Sequence, residues 1–376
     1  MTPSAFASSP WSDPAPFYAD EHRQLARSIA RHDALERDES LDDVMEVGRR
    51  LAQLGLYAHL GKPRALCVVR EILAYHSPLA DAVFAVQGLC AEPLRLTGRK
   101  ADLEPMLRGD RIGGFALTEP EAGSDVAAMR TRARQEGNEW VLDGEKTLIS
   151  NVGIAHQFVV FARVGEDKKT ISAFLVPADA QGVELVRIPL SGHHPLGRIV
   201  LSSCRLPESA LVGTVGQGLS LALGTLGTYR VSVGAAANGM AWRALEETIA
   251  HVKRREQFGK KLSELQLVQA AIAEMSTELC ASRLLVGSAA FELEADRTMT
   301  EEGRRQQQGR VVSMAKMFAT EAAQRIIDRA VQLHGGMGVA LGTKVEELYR
   351  EIRPLRIYEG ATDVLKLVIA GSVLGK

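Results

Sequence analysis

The chain has 376 residues, 46% of them hydrophobic and 24% charged, the balance of a globular protein with room for two or three packed units. Its 45 basic and 46 acidic side chains leave a formal net charge of −1, so there is no electrostatic case for nucleic acid or a membrane surface as partner. The opening MTPSAFASSPWSDPAPF has no basic start and no apolar run, and the four cysteines, Cys67, Cys90, Cys204 and Cys280, have no metal-ligand spacing; neither a signal peptide nor a membrane span is expected, and reduced thiols in a cytoplasmic chain are.

In chain order, residues 1–17 read as a mobile lead-in and residues 18–112 as helical. DEHRQLARSIARHDALERD and DDVMEVGRRLAQLGL repeat apolar residues at helical spacing, and LCVVREILAY and ADAVFAVQGLC continue the pattern. From Gly113 the period changes. EWVLDGEKTLIS predicts two short strands around a hairpin turn at Asp143-Gly144, followed by HQFVVFARV, KTISAFLVPA, VELVRIP and GRIVLSSCRLP. No helical pattern interrupts these strands, so residues 113–215 are expected to form an antiparallel sheet or small barrel. Residues 216–376 return to long helical patterns, over 230–257, 265–295 and 303–333, that predict a bundle. The fold class is therefore mainly α with a central antiparallel β domain.

Several stretches are candidates for chemistry. VGTVGQGLSLAL and HGGMGVALG are glycine-rich, yet neither fits the dinucleotide fingerprint or follows a strand. His193-His194 lacks a third ligand at usable spacing, so no metal is expected there. KRREQFGKK is either a cationic helix end that suits the backbone dipole or a grip on phosphate. FALTEPEAGSD concentrates donors, Thr118, Ser124 and the backbone around Gly123, in a short irregular stretch suited to a polar heterocycle or a diphosphate, and Ser150 ends the strand LIS. In IYEGATDV, Glu359 is either an acid at a helix N-terminus or a base over a substrate, exposed by the adjacent glycine.

Taken together, TEPEAGSD, REQFGKKL, QLHGGMG and IYEGAT resemble the acyl-CoA dehydrogenase family, flavoenzymes that desaturate acyl thioesters in fatty-acid metabolism, and they occur in the family's order over nearly the whole chain. The resemblance implies an N-terminal helical domain (18–112), a middle β domain of barrel or sandwich form (113–215) and a C-terminal four-helix bundle (216–376). It implies FAD as cofactor and a homo-oligomer, a dimer of dimers with FAD at the dimer seam. Phe115, Leu117, Thr118, Gly123, Ser124, Leu148, Ile149 and Ser150 would lie along the flavin. Arg255, Phe258, Gln332, Gly335 and Gly336, with Ala361 and Asp363, would hold its diphosphate and adenosine half from the neighbouring subunit. Ser124, Arg230, Tyr358 and Gly360 would meet the substrate, an acyl-CoA or acyl-carrier-protein thioester. Glu359 would be the base, since GTLGTYR, where a minority of the family carries it, has no carboxylate. The implied electron acceptor is an electron-transfer flavoprotein.

Three positions depart from the family pattern. Leu148 stands where tryptophan is frequent, Phe115 where tyrosine is frequent, and YAHLGKPRALC lacks the usual P-E-x-x-G-G-x-G loop ahead of the acyl pocket around Phe84, Val86 and Gln87. The rival readings are a carrier-protein-linked dehydrogenase of a specialised pathway, a flavin monooxygenase or nitroalkane-oxidase relative that uses oxygen, and a non-catalytic scaffold.

Overall fold

A computed structural model describes residues 16–30, 35, 44–165, 167, 170–192, 194–295 and 301–375. The lead-in expected over residues 1–17 lies outside the described residues except for its last two, as do His193 and, apart from Leu35, the later part of the first helical pattern. In chain order the helices before the sheet are α1 (Asp20–Ala30), α2 (Val44–Gln53), α3 (Pro63–His76), α4 (Pro78–Leu96) and α5 (Lys100–Leu107). The strands are β1 (Gly113–Ala116), β2 (Arg132–Glu136), β3 (Glu139–Ser150), β4 (Gln157–Val164), β5 (Ile171–Pro177), β6 (Val183–Arg187), β7 (Leu196–Pro207) and β8 (Leu211–Val212). There follow α6 (Gly218–Arg254), the small hairpin β9 (Glu256–Gln257) and β10 (Lys260–Lys261), then α7 (Gln266–Glu294), α8 (Glu301–His334), α9 (Lys344–Ile352) and α10 (Thr362–Leu374). Among the described residues no helix is long and apolar enough to cross a membrane.

The chain forms two compact units, one comprising Met1–Asp38, Lys62–Asp81 and Gly227–Lys376, the other Glu39–Gly61 and Ala82–Leu226. In the helical unit, α8 buries Val312, Ala315, Ala319, Ala323, Ile326 and Ala330, recurring at three- and four-residue intervals. The small side chains let helices approach closely. At Gly239 of α6 an added Cβ would stand 2.0 Å from the carbonyl oxygen of Glu71 on α3, so only glycine allows that crossing. Glu71 in turn pairs with Arg283 of α7, whose guanidinium lies over Trp242. Gly335, at φ 60, takes the left-handed turn that follows α8.

In the β unit the strand order is β6-β7-β3-β2-β4-β5-β8, with β1 also paired to β4. The expected antiparallel pairing holds along most of the sheet, and β4 has two parallel neighbours besides, β1 and β2. The hairpin expected at Asp143-Gly144 is not there: β3 runs through as one 12-residue strand. The turn falls earlier, at Gly137-Asn138, where Glu136 pairs with Glu139 and Gly137 has φ 64. Gly144 instead sits at a register shift of β3 against β7, with its Cβ position 2.6 Å from the Thr131 hydroxyl. Trp140, Phe158, Phe174, Ile149 and Leu201 fill the sheet core. Gln87, fully buried, braces the entry to β1: its amide donates to the carbonyls of Met106 and Arg111 and accepts the Gly113 N–H, so it offers no polar group to a substrate.

Candidate active site

Glu359 lies in the loop between the 3-10 turn Arg353–Arg356 and α10. The loop is pinched at its base, because Glu321 of α8 accepts hydrogen bonds from both Arg356 (2.9 Å) and Thr362 (2.7 Å). At its tip the backbone is left-handed, with φ 52 at Glu359 and 105 at Gly360. Two cations from different helices hold that shape. Arg230 Nε of α6 donates to the Glu359 carbonyl at 2.8 Å, and Lys316 Nζ of α8 donates to the Gly360 carbonyl at 2.7 Å.

The Glu359 side chain is half-buried, and its Oε2 is shielded from solvent without a hydrogen-bond partner. Loss of hydration raises its pKa above the ordinary carboxylate value, and the charges of Arg70, Arg230 and Lys316 oppose the rise. Arg70 is itself fully buried, with a bidentate pair to Asp81 (2.8 Å each) and a bond to the Ser232 hydroxyl (3.0 Å). Breaking such a pair from one side costs about 3–5 kcal/mol, so Arg70 is a fixed charge beside the loop. Tyr358 is partly exposed, and its hydroxyl is kept protonated chiefly by desolvation. The Glu359 backbone N–H donates to no acceptor among the described residues.

In the β unit, the loop after β1 is anchored from below. Glu119 accepts Lys146 Nζ (2.7 Å), the Thr131 N–H (3.0 Å) and the Arg130 N–H (2.5 Å), and this fixes Thr118 and Ser124 at the surface. The hydroxyls of Thr118 and Ser124 have no partner within the described chain, and a Cβ at Gly123 would meet nothing within 4 Å. Phe115 packs on Phe161 at 4.9 Å, and Leu117 is buried, its carbonyl accepting Lys146. Leu148, at φ 55 and 56% exposed, is turned outward, whereas Ile149 is buried and its side chain joins the sheet core. Ser150 Oγ lies 2.7 Å from Nε2 of His194. Burial holds that imidazole down at about 4, so it is neutral near pH 7.

A third group is assembled at the ends of α6 and α8, where His251 and His334 stack at 4.3 Å. Arg255 starts the β9–β10 hairpin, and Phe258 occupies its two-residue turn with φ 55, 89% exposed. Gln332, Gly335 and Gly336 are exposed at the end of α8, with open space over both glycines. Ala361 caps α10, and Asp363 in its first turn pairs with Lys366.

In the β unit, unengaged hydroxyls near an outward-turned apolar side chain suit a flat heterocycle; in the helical unit, open glycines and an exposed arginine and phenylalanine suit a diphosphate. Residues 114–204 match the acyl-CoA dehydrogenase middle domain, and residues 216–374 match the acyl-CoA dehydrogenase C-terminal domain. The chain belongs to the acyl-CoA dehydrogenase family. Members similar to it include the 3-(aryl)acrylate reductase of Clostridium sporogenes, 33% identical over 95% of this chain and 100% of that one. The CarC subunit of the caffeyl-CoA reductase–Etf complex of Acetobacterium woodii is also 33% identical, over 96% of this chain and 100% of that one. Among solved structures, a glutaryl-CoA dehydrogenase of Mycobacterium smegmatis in complex with FADH2 superposes with a TM-score of 0.85 at 26% identity, over 96% of each chain. As a member of the acyl-CoA dehydrogenase family, the protein is an oxidoreductase acting on CH–CH groups, with FAD as its cofactor.

Lys316, Arg70, Asp81 and His194 belong to none of the motifs. The signal for the first two was charge inside an apolar or small-residue helical run, the lone Lys316 of VVSMAKMFA and the Arg70-Glu71 pair of LCVVREILAY. Nothing in the sequence joined His194 to Ser150.

Proposed function

We propose that this protein catalyses the 2,3-dehydrogenation of an acyl-CoA thioester to the trans-2-enoyl-CoA, with Glu359 as the base. The observation that carries this reading is the Glu359 carboxyl itself: shielded, without a partner at Oε2, and on a loop held by two cations. A hydrogen alpha to a thioester carbonyl is weakly acidic, so the carbonyl must be polarised as the proton leaves. The unengaged backbone N–H of Glu359 is suited to that, because it points charge-stabilising capacity at the same loop that carries the base. Glu359 removes the α proton, and its desolvated carboxylate is a stronger base than one in water. FAD, when bound, supplies the acceptor for the hydride that leaves the β carbon. Thr118, Ser124 and Ser150, with the backbone at Leu117, Gly123, Leu148 and Ile149 and the ring of Phe115, would hold the flavin. Arg255, Phe258, Gln332, Gly335, Gly336, Ala361 and Asp363 would hold the rest of FAD across a seam between subunits of a dimer of dimers. Arg230, Tyr358, Gly360 and Ser124 would line the acyl thioester.

The two electrons would pass to an electron-transferring flavoprotein, in keeping with the Acetobacterium relative being a subunit of a reductase–Etf complex. The Clostridium and Acetobacterium relatives are named as reductases, which favours a second reading, reduction of a 2-enoyl thioester by the same residues in the reverse direction. Anaerobic titration with saturated and 2-enoyl thioesters, CoA-bound and carrier-protein-bound, separates substrate handle and direction. Rapid oxygen consumption without another acceptor would favour an oxygen-using flavoenzyme instead. Glu359→Gln is expected to lower kcat by roughly a hundred- to ten-thousand-fold with FAD still bound; a variant that keeps most of its turnover refutes the base assignment.

A further inference from the structure

Lys316 has 0% of its surface exposed and lies in the small-residue face of α8, next to Ala315 and near Ala319. Its ammonium donates to the Gly360 carbonyl at 2.7 Å and makes no ion pair among the described residues. Taking an ammonium out of water costs several kcal/mol, and an apolar side chain of similar volume would pack there without that cost. Stability alone therefore does not account for a lysine at this point. The charged groups that face it are Glu359 on the loop, Arg230 from α6, Glu321 from its own helix and Arg356 from the 3-10 turn. Glu321 is already engaged by Arg356 and Thr362, which leaves Glu359 as the carboxylate without another ion-pair partner.

We propose that Lys316 is a positioning residue for Glu359: its ammonium pins the Gly360 carbonyl and fixes the left-handed turn at 359–360 on which the carboxyl is carried. The magnitudes agree with this. The strain of holding a non-glycine residue left-handed is of the same order as one hydrogen bond to a charged group, and this turn has two such bonds. Arg230 holds the Glu359–Gly360 peptide through the Glu359 carbonyl, so without Lys316 the following peptide, Gly360–Ala361, loses its anchor and is free to rotate. Burial also holds the lysine down at about 8, so the charge is present below that pH and lost as pH rises through it.

The inference rests on the dehydrogenase reading above, and its test keeps the two apart. The probe is an acyl thioester with sulfur in place of the β carbon, which can exchange its α proton with D2O but cannot lose a hydride. Holoenzyme carrying Lys316→Met, Lys316→Arg or Glu359→Gln is compared with wild type for α-proton exchange, kcat, KM and melting temperature across pH. Lys316→Met is expected to slow exchange and kcat by about tenfold to a hundredfold with KM little changed. Its acidic limb should move to higher pH, since Glu359 has lost a neighbouring cation, and it should melt no lower than wild type. Lys316→Arg, whose charge does not titrate in this range, should move the alkaline limb upward. A Met variant within about twofold of wild type, or one whose loss follows a fall in melting temperature with unmoved pH limbs, overturns the proposal. If the Met variant does not fold, an unmoved alkaline limb in the Arg variant overturns it instead. Exchange that is absent in wild type, or undiminished in Glu359→Gln, refutes the dehydrogenase reading rather than the role of Lys316.

Discussion

At position 359 a glutamate occupies backbone geometry that glycine adopts far more readily, and two helix-borne cations offset the strain. The same desolvation that, on the proposed mechanism, strengthens Glu359 as a base makes it a liability to the fold. Its folded pKa is raised, so the stability it allows is present at low pH and is lost as pH rises through that value. Glu359→Gln should accordingly melt at or above the wild-type temperature near pH 7, a trade of stability against function read by calorimetry. For activity the sign is opposite. The acidic limb of kcat/KM should lie above the ordinary carboxylate range, and a limb at or below about 4.3 would contradict the desolvated carboxyl. His194 sets a second residue-scale expectation. Its Nδ1 has no partner, and an unpaired buried N–H is worse tolerated than an unpaired lone pair, so the proton belongs on Nε2, donated to Ser150. The Ser150 hydroxyl then keeps its own proton to give onward. His194→Leu should lower the two-electron midpoint potential of bound FAD by about 10–30 mV, measured by dye-linked titration. An unchanged potential would leave His194 a packing residue.

At the scale of elements, the crossing of α3 and α6 depends on Gly239. Gly239→Ala forces two backbones apart and should destabilise the chain by roughly 1–3 kcal/mol in denaturant melts, with FAD contacts untouched. The long helices were legible because α8 and its neighbours repeat small and apolar residues over many turns. The hairpin was not. Asp143-Gly144 carries the favoured turn dipeptide, yet Asp143 accepts the Ser203 N–H from β7 and Arg134 from β2, and these cross-strand bonds hold β3 extended through it. Gly137-Asn138, a less favoured order, makes the turn. The two parallel neighbours of β4 were equally hidden, because strand period reports burial of a face and not the direction of the partner.

For the molecule as a whole, the proposed seam puts Arg255 and Phe258 against a neighbouring subunit, which agrees with the 89% exposure of Phe258 in the single chain. Arg255→Ala should lower retained FAD and weaken the oligomer, seen in the flavin-to-protein absorbance ratio and the sedimentation profile; normal values for both would count against the seam. By itself the sequence determined the family, the cofactor and the order of helical and β segments, because each is written in local motifs and periodicities whose spacing survives without coordinates. It also singled out Glu359 as a candidate base. Only the tertiary structure brought Arg70, Arg230 and Lys316 from three separate helices to that loop, and paired His194 with Ser150. A charge in a helical run looks the same whether it faces water or a buried carboxylate, and its energy depends on which neighbours exclude the solvent.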